Sequence, residues 1–156
     1  MYINRELEMK IAPFLERREA IAIVGPRQAG KTTFIRHIAG KFEDQGKRVK
    51  FVTFEKRDDL ELFNKSIEDF KALAEQYDCV IIDEFQYALQ GGQKLKYLYD
   101  TTNVKFILSG SSSLELTFQT GKYMVGRLLE FTLLPFSFRE FLVFRDPELH
   151  NLLEQK

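Results

Sequence analysis

A short glycine-rich segment between an apolar run and a helical pattern places the tightest constraint on how this chain folds. Residues 20–24 (AIAIV) are typical of a strand buried on both faces of a sheet. Residues 25–33 follow as GPRQAGKTT, and a helical pattern begins at Lys31. This order of strand, loop and helix, with the pattern G-x-x-x-x-G-K-T, predicts a Walker A loop whose backbone N–H groups cradle phosphate oxygens.

Phosphate binding gives each part of this loop a task. Gly25 and Gly30 let the chain wrap tightly because no Cβ is in the way. Lys31 is expected to reach the β- and γ-phosphates, and the Thr32 hydroxyl is expected to ligate Mg²⁺. A chance glycine-rich turn is the alternative, and the complete pattern in its strand–helix context argues against it. The predicted nucleotide contacts are Gly25, Pro26, Arg27, Gln28, Ala29, Gly30, Lys31, Thr32 and Thr33.

A second apolar strand ends in two carboxylates. Residues 79–84 read CVIIDE, which has the form of a Walker B strand followed by a glutamate. Asp83 is expected to hold Mg²⁺ through its water shell, since this hard ion prefers oxygen ligands. Glu84 is expected to orient and deprotonate an attacking water. Solvated acids at a strand end are the alternative, but the upstream Walker A loop favours the catalytic interpretation.

The acidic pair also separates classes of P-loop protein. Guanine-nucleotide switches carry Asn-Lys-x-Asp, whereas the Asn-Lys at positions 64–65 is followed by Ser66 and Ile67. Small-molecule kinases usually lack the second carboxylate that Glu84 supplies. The pair therefore favours an ATPase that activates water, although GTP as the substrate stays open.

Polar residues lie where two other predicted strands end. Residues 104–108 form a predicted strand that runs into Ser109-Gly110-Ser111-Ser112-Ser113. Because the carboxyl ends of parallel strands line the ligand crevice, Ser109 or Ser111 is a candidate to contact the attacking water or the γ-phosphate. A helix N-cap is the alternative use of these serines. Glu55, at the end of the strand predicted over 49–54, is a further candidate for this crevice.

Arg127 follows Gly126, directly before a strand predicted over 128–133. An arginine there is a candidate to neutralise transition-state charge, in its own site or in that of a neighbour. A surface arginine paired with an acid is the alternative.

Strands alternating with helical patterns predict βαβ units and a mostly parallel sheet in one α/β domain. The predicted helices cover 5–17 (interrupted near Pro13), 31–40, 58–77 (one or two helices), 93–101 and 137–144. The 156 residues suffice for one domain with a real core. No linker divides them.

Composition excludes several other classes. Lys plus Arg equals Asp plus Glu at 23 each, which disfavours a strongly basic nucleic-acid binder. The lone Cys79 excludes an internal disulfide framework and a multi-cysteine zinc site. Apolar runs are far too short for a membrane span, and the charged N-terminus does not resemble a signal peptide. We therefore expect a cytoplasmic protein without membrane association.

Four segments, in order, resemble the AAA-type family of predicted prokaryotic ATPases. They read IAIVGPRQAGKTT, VIIDEFQ, FILSGSSS and MVGRLLEFTLLPFSFREF. The family pattern has a GPRQ-GKTT loop, a DE-(I/F)-Q box, an L-(T/S)-GSSS strand end and a GR-hydrophobic-PLSFxEF segment. The resemblance runs from about residue 5 to the C-terminus. Phe136 stands where leucine is usual.

This resemblance implies an AAA+-like, three-layer αβα sandwich of the ASCE division of P-loop proteins, with five parallel strands. It implies ATP and Mg²⁺ as ligands, with Thr32 and Asp83 on the metal. It makes the candidate catalytic residues Lys31, Glu84, Ser109 and Arg127. Family members are longer, so residues 1–156 are expected to be one ATPase domain. Residues 134–156 would then be a helical extension toward a lid or C-terminal domain.

Three functions stay open at this point. In the first, ATP hydrolysis drives a conformational change in an attached domain or protein partner. In the second, nucleotide binding sets a state that recruits a protein partner, with negligible turnover. In the third, the chain is the ATPase module of a DNA-associated regulator, which the neutral charge does not support. Homo-oligomers are possible in each case. The segment Ile11–Phe14 is a candidate for contact with the adenine base of the nucleotide.

Overall fold

The computed structural model describes residues 2–111 and 123–155. Its five strands form one sheet of order β2-β3-β4-β1-β5, in which every neighbouring pair is parallel. This confirms the predicted α/β fold with a parallel five-stranded sheet. The strands are β1 (Ala20–Val24), β2 (Val49–Thr53), β3 (Cys79–Asp83), β4 (Lys105–Gly110) and β5 (Leu128–Thr132).

Helices cover both faces of the sheet, as the burial of every residue in β1 and β3 requires. In β1, Ile21 and Ile23 belong to one hydrophobic cluster, whereas Ala20, Ala22 and Val24 belong to the other. This alternation follows from the period of two of a strand. The helices are α1 (Leu7–Ile11), α2 (Lys31–Asp44), α3 (Arg57–Lys65), α4 (Ile67–Ala74), α5 (Gly91–Thr101), α6 (Phe138–Arg145) and α7 (Pro147–Glu154). Short 3₁₀ turns lie at Ala12–Phe14 and Phe85–Tyr87.

The end of α2 differs from the sequence expectation. A helix ending at Gly40 was predicted, but α2 continues to Asp44. The extension places Phe42 in the core, where it is 3% exposed, and this burial outweighs the modest cost of a glycine inside a helix. The left-handed glycine that follows the helix is Gly46, with a φ of 80°.

Phenylalanine fills much of the core beside the acidic strand end. The ring of Phe63 lies 5.0 Å from Phe54, 5.1 Å from Phe70 and 5.8 Å from Phe85, measured between centroids. All four side chains are at most 2% exposed. Because Phe85 directly follows Glu84, this cluster anchors the chain just beyond the carboxylate pair.

The final described residues form two short helices. Helix α6 begins with a capping box, in which Glu140 N donates to Ser137 Oγ (3.0 Å) and Ser137 N donates to Glu140 Oε1 (2.8 Å). Apolar side chains on α6 and α7 stay exposed, including Phe138, Phe141 and Leu152. No helix in residues 2–111 or 123–155 is long and apolar enough to cross a membrane.

Candidate nucleotide-binding site

The glycine-rich loop leaves the carboxyl end of β1, an interior strand of the sheet, and leads into α2. Gln28 and Gly30 adopt left-handed conformations, with φ of 64° and 88°. Ala29, between them, is buried, whereas Arg27 and Gln28 are exposed. Left-handed residues within such a loop bend the backbone into the concave arrangement that binds anions.

Gly25 serves a purpose that the motif alone does not reveal. A Cβ at this position would lie 2.1 Å from the carbonyl oxygen of Leu133, just beyond β5. Its φ is outside the left-handed region. The glycine is therefore required by the close approach of β5 to the root of the loop, where Leu133 N donates to Val24 O (2.7 Å).

Lys31 folds back over its own loop. Its Nζ donates to Gly25 O (2.9 Å) and to Pro26 O (2.7 Å), and the residue is 6% exposed. Burial lowers the pKa of the Lys31 ammonium below its ordinary value, while the nearby carboxylates of Glu84 and Asp83 oppose this shift. The ammonium thus lies between the loop and the acidic end of β3.

Thr32 and Asp83 meet at the first turn of α2. Thr32 Oγ1 donates to Asp83 Oδ2 (2.8 Å), although 51 positions separate them in sequence. No group of three His, Cys, Asp or Glu side chains that could hold a metal occurs among the described residues. A hydroxyl beside one carboxylate nevertheless fits Mg²⁺ bound to a nucleotide, because that ion typically takes one or two carboxylates together with phosphate oxygens and water.

Ser109 completes this arrangement from β4. Its Oγ donates to Asp83 Oδ1 and accepts from Glu84 N (3.2 Å). The side chain is fully buried, so these contacts fix the Asp83 carboxylate and the backbone of Glu84. Of the two candidate serines, Ser109 contacts the acidic pair, and Ser111 lies at the cavity described next. Ser112 and Ser113 lie outside the described residues.

A cavity of about 310 Å³ opens between the loop and the carboxyl ends of β3 and β4. Its volume is near the lower end of the range for small-molecule sites. It brings together most of the predicted loop residues with Glu84 and Ser111, and it includes Glu55, which was a further candidate for this crevice. Tyr87 was not anticipated, since no motif marked it. The lining residues are Arg27, Gln28, Gly30, Lys31, Thr32, Thr33, Glu55, Glu84, Tyr87 and Ser111.

A buried arginine that sequence reasoning missed holds the outer side of the loop. Arg5 is 5% exposed and donates to Ala29 O (2.8 Å), to Glu140 Oε2 (2.8 Å) and to Leu134 O. The guanidinium also lies 4.2 Å from the centroid of the Phe136 ring. The SFREF segment offered Glu140 as a signal, but nothing in the sequence linked it to a residue 135 positions away.

Two predicted contributors lie elsewhere. Arg127 precedes β5 at the amino ends of the strands, opposite the loop, and its Nε lies 3.4 Å from Asp100 Oδ1. The structure therefore does not bring Arg127 into this chain's own cavity. Because β5 runs parallel to β1, the residue before β5 lies at the opposite end of the strands from the loop that follows β1. The residues predicted to contact the nucleotide base do not line the cavity either. Ile11 is 1% exposed in the core, and Phe14 O accepts from Lys105 at the start of β4.

Comparison with known proteins supplies the family. The AAA domain family matches residues 17–142, which contain all five strands and the whole cavity. This chain belongs to the AAA domain family. It is an AAA-type P-loop NTPase domain.

Curated relatives match most of the chain, and solved structures share its fold. An uncharacterised protein of Methanocaldococcus jannaschii is 29% identical to this AAA domain over 96% of the chain and 33% of its own length. A structure of the replication initiator DnaA, bound to AMPPCP and single-stranded DNA, has a TM-score of 0.60 at 18% identity and covers 83% of this chain and 47% of its own. The P-loop NTPase domain of the Sigma-54 transport activator from E. coli has a TM-score of 0.57 at 15% identity, covering 85% and 94%.

The structural likenesses establish the fold of the AAA domain. The chain spans between 32% and 40% of the length of the curated relatives it matches.

Proposed function

We propose that this AAA domain binds ATP with Mg²⁺ and hydrolyses it, with water as the nucleophile. The observation that carries this proposal is the convergence of Lys31, Glu84 and Thr32 on one cavity, with Asp83 accepting a hydrogen bond from Thr32. Lys31 supplies the cation, Glu84 the base and Thr32 the metal-binding hydroxyl that phosphoryl transfer to water requires.

The loop would bind the triphosphate through backbone N–H groups and the N-terminus of α2. The Lys31 ammonium now donates to two loop carbonyls, and phosphate oxygens would replace these as acceptors. Thr32 and Asp83 would hold Mg²⁺, which neutralises charge on the β- and γ-phosphates when bound. Glu84 would orient a water molecule and accept its proton as the water attacks the γ-phosphorus, while the bond from that phosphorus to the bridging oxygen breaks and ADP leaves.

We further propose that hydrolysis drives a conformational change in an attached domain or a protein partner through residues 134–156. Arg5 contacts both the loop, at Ala29 O, and the start of α6, at Glu140. The apolar residues exposed on α6 and α7 offer a surface for such a partner. The greater length of the curated relatives supports an attached domain.

The test is Mg²⁺-dependent phosphate release from ATP by this chain and by Glu84→Gln. We expect turnover by the wild type and a loss of at least about 100-fold in Glu84→Gln, with ATP affinity retained. Lys31→Ala should lose tight ATP binding in a calorimetric titration. Glu43→Gln, a matched change of an exposed glutamate on α2, should change neither quantity.

The outcomes separate the candidate functions. Turnover that survives in Glu84→Gln would remove Glu84 as the base. ATP binding without phosphate release by the wild type would refute hydrolysis by this domain and favour the nucleotide-dependent switch. Unchanged ATP affinity in Lys31→Ala would refute the assignment of the loop.

A further inference from the structure

The side-chain amide of Gln86 lies between the carboxylate of Glu84 and Ser111, just beyond the end of β4. Gln86 is 8% exposed. Its Nε2 donates to Glu84 Oε2 and to Ser111 Oγ, the latter at 2.9 Å. One buried amide therefore contacts both polar groups that the third and fourth strands present to the cavity.

The backbone from Glu84 to Gln86 is tightly constrained. Glu84 adopts a left-handed conformation, with φ of 57° and ψ of 45°, which a non-glycine residue rarely adopts. Phe85 follows with no exposed surface, and its ring lies 5.9 Å from that of Phe54 and 5.8 Å from that of Phe63. Because the core fixes Phe85, the residues on either side of it are held close together, and Gln86 reaches back to Glu84.

From this geometry we propose that Gln86 is a positioning residue that fixes the Glu84 carboxylate for water activation. The inference rests on the proposed hydrolytic function and adds a residue to it. Gln86 contacts one carboxylate oxygen, Oε2. Within the described residues, Glu84 Oε1 accepts no hydrogen bond, so that oxygen is available to take the proton from water.

The chemistry of an amide suits this task. A lysine or arginine at position 86 would place a positive charge against the base and lower its affinity for a proton. A neutral N–H donor restricts the orientation of the carboxylate while adding no charge. The second contact, to Ser111 Oγ, holds the amide itself in place. The glutamine thus orders the Glu84 carboxylate through one hydrogen bond and is itself held by Ser111, while Ser109 Oγ accepts from the backbone N–H of Glu84.

The kinetic test compares Gln86→Met with wild type and with Gln93→Met, a matched change at an exposed position on α5. Methionine has a similar length and lacks both N–H donors. We expect kcat to fall about 10- to 100-fold in Gln86→Met, because small displacements of a catalytic group have effects of this size. KM, the dissociation constant of ATP and the melting temperature should stay close to wild type. Ser111→Ala should lower kcat by a smaller factor.

Two kinetic outcomes would overturn the proposal. One is an unchanged kcat in Gln86→Met. The other is a fall in kcat together with a weaker affinity for ATP and a lower melting temperature, which would mark a merely structural residue. In both cases Gln93→Met sets the baseline.

A measurement without turnover separates this inference from the proposed function. In a ¹H–¹⁵N spectrum, the side-chain amide signal of Gln86 is identified by its absence in Gln86→Met. Glu84→Ala and Ser111→Ala should each shift this signal, and Glu43→Ala should not. If the wild type releases no phosphate, hydrolysis is refuted, and these shifts alone decide whether Gln86 holds the carboxylate. An amide signal that neither variant moves would overturn the positioning itself.

Discussion

Replacing Gly25 by alanine tests whether the close approach of β5 sets the identity of the first residue of the loop. The added Cβ would lie 2.1 Å from Leu133 O, far inside the roughly 3.5 Å at which non-bonded atoms attract. The neighbouring atom belongs to the backbone, so no side-chain rotation can relieve the overlap. Relief requires the end of β5 to move away from β1, which stretches the 2.7 Å hydrogen bond between Leu133 N and Val24 O.

The expected cost combines overpacking with the loss of that hydrogen bond, and we estimate it at about 2–4 kcal/mol. Urea unfolding would report it as a midpoint lowered by roughly 1–2 M at unchanged slope. Gly40→Ala is the matched control, since nothing lies within 4 Å of a Cβ at that helical position. This control should stabilise the protein by about 0.5–1 kcal/mol. A midpoint for Gly25→Ala at or above that of wild type would refute the steric argument.

Two further predictions concern buried groups. Burial alone would raise the pKa of Glu140, but hydrogen bonds from Ser137 N, the Arg5 guanidinium and Glu6 N outweigh it and hold the pKa below the ordinary 4.5. The contribution of the Glu140 carboxylate to folding stability is therefore present at pH values above its ordinary pKa, and it is lost as the pH falls through the lower pKa of the folded state. Glu140→Gln should destabilise by about 3 kcal/mol at pH 7, and by clearly less in acid, when urea midpoints are compared; equal differences at both pH values would contradict this. Burial raises the pKa of the Cys79 thiol to about 12, so Ellman's reagent at pH 8 should label it only after unfolding, and rapid labelling of the native protein would contradict its placement.

Local patterns in the sequence were enough to predict the fold class and the central motifs. Apolar or alternating runs located the five described strands to within a few residues. The signal is continuous in β1 and β3 because these strands are buried on both faces of the sheet. The glycine-rich loop and the Asp83-Glu84 pair were evident because their chemistry lies in adjacent residues. The predicted helix end at Gly40 was wrong because it rested on a single local residue. A glycine cannot show that Phe42, two residues later, has a place in the core.

The remaining features depend on strand order and on contacts between distant residues. Pairing of β4 with both β1 and β3 places Ser109 against Asp83 and brings Asp83 to Thr32. The same parallel arrangement places Arg127 at the amino ends of the strands, away from the loop at their carboxyl ends.

The sequence by itself determined that this chain is a P-loop NTPase, since the phosphate loop and the acidic strand end are contiguous motifs with their own chemistry. Only the tertiary structure decided why Gly25 must be glycine, that Arg5 holds the loop against Glu140, and that Gln86 contacts the Glu84 carboxylate. The physical reason is that steric exclusion, ion pairing and hydrogen bonding act through space at distances of a few ångströms. A one-dimensional pattern records such contacts only when the partners are also neighbours along the chain.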